Sequence, residues 1–554
     1  MLKIINRKKV LTCILALLLT FMHIAGWQIS MDYGSSVHTS AFFQKIGVLK
    51  NWQCLLIGAF EWCILSVLFY RLFTWLEKRE TQITEEKTAP AVLALMNVPR
   101  YFGFMAFGIL FAIWMLFLWG CYPGYYNYDI GNQLPQFMYA EVPYNAHHPL
   151  LHTIISGAII TLGYHINSTD LTLGLFMYSV FQMAACAACL SYSLHFIYKR
   201  SRNLILTIVA LIFYALCPPL VMLAMSATKD VLCYSALLVG IIGLWELVEE
   251  IGLKGTAKWH KWIFPAVFLI FSCLMRKNVI YAVVVLTFFS LMIIKKERLK
   301  QLLFYIGIFA VYFAIDKALV VGLNAIPGSL NEALCVPYQQ IARLYTIEGA
   351  DAFTDEEYAM LSDIIPPQSL LLYDPAMADP IKANFNPGLE TLKENAGDYL
   401  LLWLKKGLEY PKIYIDSFLY NTYQAWYPGT TVMEQKGVRY FYITDWQEEY
   451  GTPNWQGLYD FYQGVTYGSY TKYPVFRLFF ATGTMFWISV IAIFYSLWKK
   501  DKSTTMALLL NLLVCATSFC GPVSDVRYYL ILFYLAPVCF SLMLRKNAAE
   551  RNLP

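Results

Sequence analysis

The chain has 554 residues, 58% of them hydrophobic and only 14% charged, with a mean hydropathy of +0.49 and a formal net charge of +5. That balance excludes an ordinary soluble globular protein and points to a chain that crosses a membrane many times. Aromatic residues make up 17%, and Tyr and Trp favour the two bilayer interfaces.

A spanning helix needs about 20 mostly apolar residues. The opening run, MLKIINRKKVLTCILALLLTFMHIAGW, is long enough and shows no small-residue cleavage site, so it is expected to be a retained helix with its basic end in the cytoplasm. Candidate spans follow at 9–28, 52–74, 102–121, 171–194, 203–217, 231–248, 262–275, 279–294, 302–323, 474–497, 504–520 and 528–544. Basic clusters flank them: Lys3/Arg7/Lys8/Lys9, Lys78/Arg79, Lys199/Arg200/Arg202, Lys254/Lys258/Lys261, Lys295/Lys296/Arg298/Lys300, Lys499/Lys500/Lys502 and Arg545/Lys546/Arg551. With all of these inside, the twelve spans alternate and both termini are cytoplasmic, in the cell membrane. The run 149–166 would break this order if it crossed. It is short and holds His152, Thr153 and Ser156, so it is expected to be an interfacial or re-entrant helix on the outer face.

Four regions result. Residues 1–100 form a helical pair and a cytoplasmic loop, and 101–324 form a transmembrane core with an outer loop at 122–170. Residues 325–473 form an extracytoplasmic domain, and 474–554 the last transmembrane helices. The expected fold class is an all-α polytopic membrane protein of about twelve transmembrane helices. Outer juxtamembrane helices and a small mixed, mainly helical outer domain complete it. The thirteen cysteines are scattered, and 325–473 holds only Cys335, which predicts neither a disulfide nor a zinc knuckle there.

Polar elements interrupt the outer span ends. The loop GCYPGYYNYDIGNQLPQFMYAEVPYNAHHPLLHT (120–153) carries Asp129, Gln133, Gln136, Glu141, His147 and His148. SATKDVLC places Lys229 and Asp230 at a helix start, where backbone N–H groups attract anions. LMRKNVIY puts Arg276, Lys277 and Asn278 in a tight outer turn, against the positive-inside trend, and an anionic lipid head is the simplest reason for cations there. GPVSDVRYYL carries Asp525 and Arg527, a structural ion pair or part of the same site. A cavity shared by all four would mix one or two acids with three or more cations.

His148 and His152 stand four apart, a metal-ligand spacing. No third ligand follows at helical spacing, and Pro149 makes His148 a helix cap or substrate contact instead. Between Tyr420 and Tyr473, Trp426, Tyr427, Tyr440, Trp446, Trp455, Tyr459 and Tyr462 could stack on sugars or simply fill a core and an interface. No phosphate-binding glycine loop or dinucleotide fingerprint occurs, and no nucleic-acid partner is expected.

An outer loop with an early acid and in-plane helices, followed by many spans and a late outer domain, resembles the GT-C superfamily of multispanning glycosyltransferases. The segments that carry this resemblance are YPGYYNYD and HHPLLHT in the loop, TKD (228–230), RKN (276–278) and DVRYY (525–529). PYQQIARL (337–344) resembles, more narrowly, a bacterial membrane-protein family. The resemblance implies a polyprenyl-phosphate-linked sugar donor, an envelope glycan or glycopolymer acceptor and contact with membrane lipid, with inversion at the sugar. It assigns Asp129 the role of general base and Lys229, Arg276 and Lys277 the donor phosphate. Gln133, Glu141, His147, His148, Asp230, Asn278 and Arg527 would bind or orient substrate. Many members pair two acids in this loop. Here Ile130 follows Asp129 and Glu141 lies downstream, which leaves open which acid is the base; a divalent metal is possible but not supported, and no other cofactor is implied.

Two other classes fit the composition. A transporter or flippase of a lipid-linked or polysaccharide precursor would show matching halves and mid-span polar groups, of which Glu61 is the main example. A non-catalytic envelope-assembly protein would use the outer domain to bind a partner.

Overall fold

The computed structural model describes residues 2–34, 52–82, 101–167, 170–328, 330–383, 389–429, 453–466, 469 and 473–544. Among them every regular element is a helix or a short 3-10 turn, with only isolated strand-like bridges between loops. The first 324 residues hold α1 (Leu2–Gly34), α2 (Trp52–Gln82), α3 (Phe102–Gly120), α4 (Tyr128–Met138), α5 (Leu150–Asn167), α6 (Thr172–Ser201), α7 (Leu204–Leu216), α8 (Pro218–Met225), α9 (Lys229–Lys254), α10 (Trp259–Met275), α11 (Asn278–Ile293) and α12 (Arg298–Gly322). The polar region holds α13 (Cys335–Glu348), α14 (Asp355–Ile364), α15 (Pro367–Leu370), α16 (Asp379–Ala383), α17 (Leu389–Glu394), α18 (Ala396–Glu409), α19 (Pro411–Trp426) and α20 (Gln456–Thr466). Then come α21 (Pro474–Phe480), α22 (Thr482–Lys499), α23 (Lys502–Ser518), a 3-10 turn (Val526–Tyr529) and α24 (Leu530–Met543).

Seven helices among the described residues are long and apolar enough to cross a membrane, and α7 with α8 makes an eighth if that pair, bent by 48°, is one span. α10 and α11 are shorter apolar helices. The chain is therefore an all-α, multi-pass membrane protein. Each of the twelve runs read from the sequence coincides with a helix, with two local differences. The 203–217 run continues past Cys217 into α8, and the bend falls where Pro218 and Pro219 remove backbone donors. The 474–497 run breaks at Ala481 into α21 and α22. Gly483 there lies against the Tyr427 backbone, where a Cβ would come within 2.4 Å of the carbonyl carbon. In the polar region, α18 and α19 are separate helices, because Pro411 opens α19 and pushes Tyr410 out of helical geometry.

α9 is the central helix, with 94% of its most apolar window buried, whereas α2 has 11% and presents an apolar face outward. The helices pack with their basic ends together. Arg200 of α6 pairs with Glu249 of α9 at 2.7 Å and stacks on Trp245 at 4.1 Å. Lys261 of α10 reaches Glu246 at 3.3 Å. Lys502 of α23 donates to the Ile293 carbonyl of α11, and Arg7 of α1 to the Leu497 carbonyl of α22. The starts of α9 and α11 and the end of α10, which carry the polar elements, therefore lie at the opposite end. The Arg545 cluster lies outside the described residues.

The polar region has its own apolar core, including Ile341, Leu361, Ile364, Leu370 and Leu402. α14 begins with a capping box, Thr354 accepting from the Glu357 N–H and Glu357 from the Thr354 N–H. The region is tied to the last helices where the Ala378 N–H donates to the Pro522 carbonyl at 2.8 Å.

Candidate functional site

After α3 the chain turns back against the segment between α8 and α9. Gly124 takes φ 107°, and a Cβ there would come within 2.6 Å of the Ser179 hydroxyl and 2.8 Å of the Met225 carbonyl, so only glycine permits the approach. The Tyr125 N–H donates to the Met225 carbonyl and the Ala227 N–H to the Tyr125 carbonyl, both at 3.0 Å. This pairing sets two helix starts side by side. Asn127 caps α4, its side chain accepting from the Asp129 N–H, and Thr228 caps α9, accepting from the Asp230 N–H. Asp525 caps the 3-10 turn.

Three carboxylates and three cations from these starts form one ionic chain. Lys229 Nζ lies 2.5 Å and Arg527 Nη1 2.8 Å from the same oxygen of Asp129. Arg527 Nε stands 3.0 Å from Asp525, and its Nη1 3.9 Å from Asp230. Asp230 in turn holds Arg276 at 2.6 Å. The Tyr528 ring lies under both guanidiniums, 4.3 Å from that of Arg276 and 4.8 Å from that of Arg527. Tyr234, one turn after Asp230, accepts from Arg276 at 3.2 Å and donates to the Tyr528 carbonyl at 2.7 Å. The three carboxylates are buried and the three cations half-buried, with Arg276 the most open at 14% and Asp230 fully covered.

Burial alone would raise the Asp129 carboxyl, but the Arg527 guanidinium and the Lys229 ammonium outweigh it and hold it well below the usual carboxylate range. His148 sits 3.2 Å from Lys229 through Nδ1. Burial and then the Lys229 charge push its pKa down to about 2, so the ring is neutral and Nδ1 serves as acceptor. Asp525 goes the other way: burial lifts it to about 6 against the pull of Arg527.

The remaining predicted residues are placed as follows. Lys277 donates to the Ala146 carbonyl at 2.8 Å, and Asn278 to Thr517 at 3.0 Å. Gln133 lies away from the ions, fully buried; its amide donates to Thr153, and its carbonyl meets Nδ1 of His152. Nε2 of His152 faces Tyr178, so His148 and His152 have separate partners. His147 stacks edge-on against His148, with the ring exposed, and Glu141 is exposed. Among the described residues no three His, Cys, Asp or Glu side chains are grouped so as to hold a metal ion. Of the late aromatics, Trp426, Tyr427 and Tyr462 are buried in packing and Trp455 is exposed, while Tyr440 and Trp446 lie outside the described residues.

The acids outnumber the sequence expectation, which foresaw one or two. Tyr234 and Tyr528 also belong to the site, though the sequence does not single them out. Tyr234 stands four residues after Asp230, a spacing that puts both on one helix face. Tyr528 adjoins Arg527, but nothing in its neighbourhood along the chain announces Arg276.

The model of a family described as a family of unknown function, DUF6020, matches residues 140–552, and the chain belongs to that family. The matched span holds Lys229, Asp230, Arg276 and Arg527 and begins after Asp129. Neither the curated proteins nor the solved structures give a match.

Proposed function

We propose that this DUF6020 protein is an integral-membrane glycosyltransferase that moves a sugar from a polyprenyl-phosphate-linked donor to an envelope glycan or glycopolymer on the outer face. The observation that carries the reading is the sharing of one Asp129 oxygen by Lys229 and Arg527 at the bundle end remote from the basic clusters. Positive-inside orientation would make that end extracellular, with about twelve spans, both termini cytoplasmic and 325–473 outside. Asp129, Lys229 and Arg527 stand in the first turns of α4, α9 and the 3-10 turn, and the free N–H groups of such starts favour an anion. A donor whose tail stays in the bilayer would bring its phosphate to this depth.

The resting centre is balanced, three acids against three cations, so a phosphate must compete with Asp129 for Lys229 and Arg527. A polyprenyl sugar phosphodiester brings one negative charge. Once the two cations turn to it, Asp129 loses the charges that hold its pKa down and becomes a fit base. The acceptor hydroxyl then gives its proton to Asp129 as its oxygen bonds to the anomeric carbon. The bond from that carbon to the phosphate oxygen breaks, and the electron pair leaves on the phosphate, where Lys229 and Arg527 offset it. One displacement inverts the sugar. Arg276 and Lys277 must first leave Asp230 and the Ala146 carbonyl, so they join after Lys229 and Arg527. His148, Asp230 and Asn278 orient these groups, and no divalent metal takes part in the scheme.

Mass spectrometry of lipids retained by the purified protein, followed by incubation with candidate acceptors, tests the reading. Retention of a polyprenyl-phosphate sugar and its consumption with acceptor are expected. Movement of an intact lipid-linked precursor across the bilayer, with no transfer, would favour a flippase instead.

A further inference from the structure

The basic end of the bundle holds a second arrangement of charges. A cavity of about 130 Å³ opens where the first turns of α1 meet the last turn of α22 and the end of α2. Arg7 and Lys8 line one side, Lys499 and Lys500 the other, and Leu11 and Trp498 give it an apolar wall. Glu77 is its only carboxylate lining residue, and that carboxylate already has partners. It takes Lys8 Nζ at 2.8 and 3.1 Å and the Trp498 indole N–H at 3.0 Å. Lys8 is also held over the Trp498 ring at 4.6 Å.

Basic residues at a helix C-terminus commonly serve only to cap it. Here the cap is already made: the Leu497 carbonyl accepts from Arg7 and from the Lys500 backbone N–H. The Lys500 side chain is exposed, at a left-handed position (φ 56°), with no hydrogen bond or ion pair among the described residues. Four cations thus border a cavity with one carboxylate that is already engaged.

We propose that this cavity binds a phosphate group, carried on an anionic lipid head or free in solution. A phosphate fits the volume, the Arg7 fork can bind it through two parallel N–H bonds, and Lys500 and Lys8 supply point charges. Trp498 and Leu11 suit the glycerol and acyl start of a lipid, and an interfacial tryptophan is expected at that depth. The site is separate from the Asp129 centre and does not depend on the chemistry proposed there.

The test uses the full chain in nanodiscs with native mass spectrometry, comparing phosphatidylglycerol with phosphatidylcholine and titrating inorganic phosphate. Preferential retention of phosphatidylglycerol is expected. Arg7→Gln with Lys500→Gln should lower it about 30-fold, and Lys500→Gln alone about 5-fold, from the usual worth of each surface cation near an anionic lipid. The Lys500 side chain has no partner to lose among the described residues, so the single variant keeps the test clear of folding defects. Lys295→Gln with Lys296→Gln, at the same end, should leave retention unchanged. Displacement of the lipid by inorganic phosphate would assign the site to free phosphate as well. Equal retention of both lipids with no phosphate effect, or an equal loss in the Lys295/Lys296 variant, would overturn the proposal.

Discussion

Asp129 and Arg527 stand 398 residues apart in the chain and meet at 2.8 Å in the structure. The contact joins the loop after α3 to the turn before the last helix, with α9 between them through Lys229. Removing the shared carboxylate takes the ion-pair partner from Lys229 and leaves Arg527 with Asp525 and, at 3.9 Å, Asp230. Asp129→Ala should therefore destabilise the protein by about 3–5 kcal/mol, and Asp129→Asn by less, since the amide oxygen still accepts. Denaturant unfolding in detergent measures both. Combining Asp129→Ala with Arg527→Met should recover part of the loss, a coupling of about 0.5–3 kcal/mol. Simple additivity would mean that the ion pair does not form.

Arg276 separates a binding role from a structural one. Its guanidinium is the close partner of Asp230, which has no exposure at all. Arg276→Ala should cost about 3–5 kcal/mol of stability, because a buried charge loses its partner. Arg276→Lys should keep the charge and lose the stacking on Tyr528, with an intermediate midpoint in the same unfolding assay. A fully stable Arg276→Ala protein would show that Asp230 is not held as described.

His148 predicts a pH dependence. Its folded pKa, about 2, lies below the ordinary 6.5, so the folded protein binds fewer protons than the unfolded chain. Stability then falls as pH drops through 6.5 and continues to fall towards the folded value. Between pH 7.5 and 5 this side chain accounts for about 2 kcal/mol. Unfolding midpoints of the wild type and of His148→Gln should converge as the pH is lowered, since the variant lacks that loss. Parallel curves would put His148 in contact with water rather than against Lys229.

The orientation rests on the basic clusters and is open to labelling. With the exposed thiols Cys63 and Cys520 changed to Ser, Ala350→Cys should react with an impermeant maleimide on intact cells. Lys254→Cys, at the other end of α9, should react only after permeabilisation. The reverse pattern would place the Asp129 centre in the cytoplasm.

Much of the architecture was legible in the sequence, because lipid demands long apolar helices and the basic clusters order their ends. Breaks were less so. The bend at Cys217 and the split at Ala481 come from prolines and from the close packing of Gly483 on Tyr427, and only the first leaves a local mark. At the site, Asp129, Lys229, Asp230, Arg276 and Arg527 could be named, since charges at span ends stand out against apolar neighbours. Their pairing could not. That Arg276 answers Asp230 while Lys229 and Arg527 share Asp129 depends on how four helix starts pack. Gln133 looked like a loop amide beside Asp129, yet lies five residues beyond the helix start at Tyr128, on the face that turns to His152 and Thr153.

In the proposed reaction Asp129 becomes the base once a lipid-linked phosphate draws Lys229 and Arg527 away. The most direct measurement is the transfer rate of Asp129→Asn on a polyprenyl-phosphate sugar, with donor retention measured on the same preparation. Donor should still bind while turnover falls about 10²–10⁴-fold, the usual worth of a general base. Glu141→Gln, on an exposed side chain, should change little. Normal turnover by Asp129→Asn, with Glu141→Gln inactive or with neither change felt, would show that Asp129 is not the base.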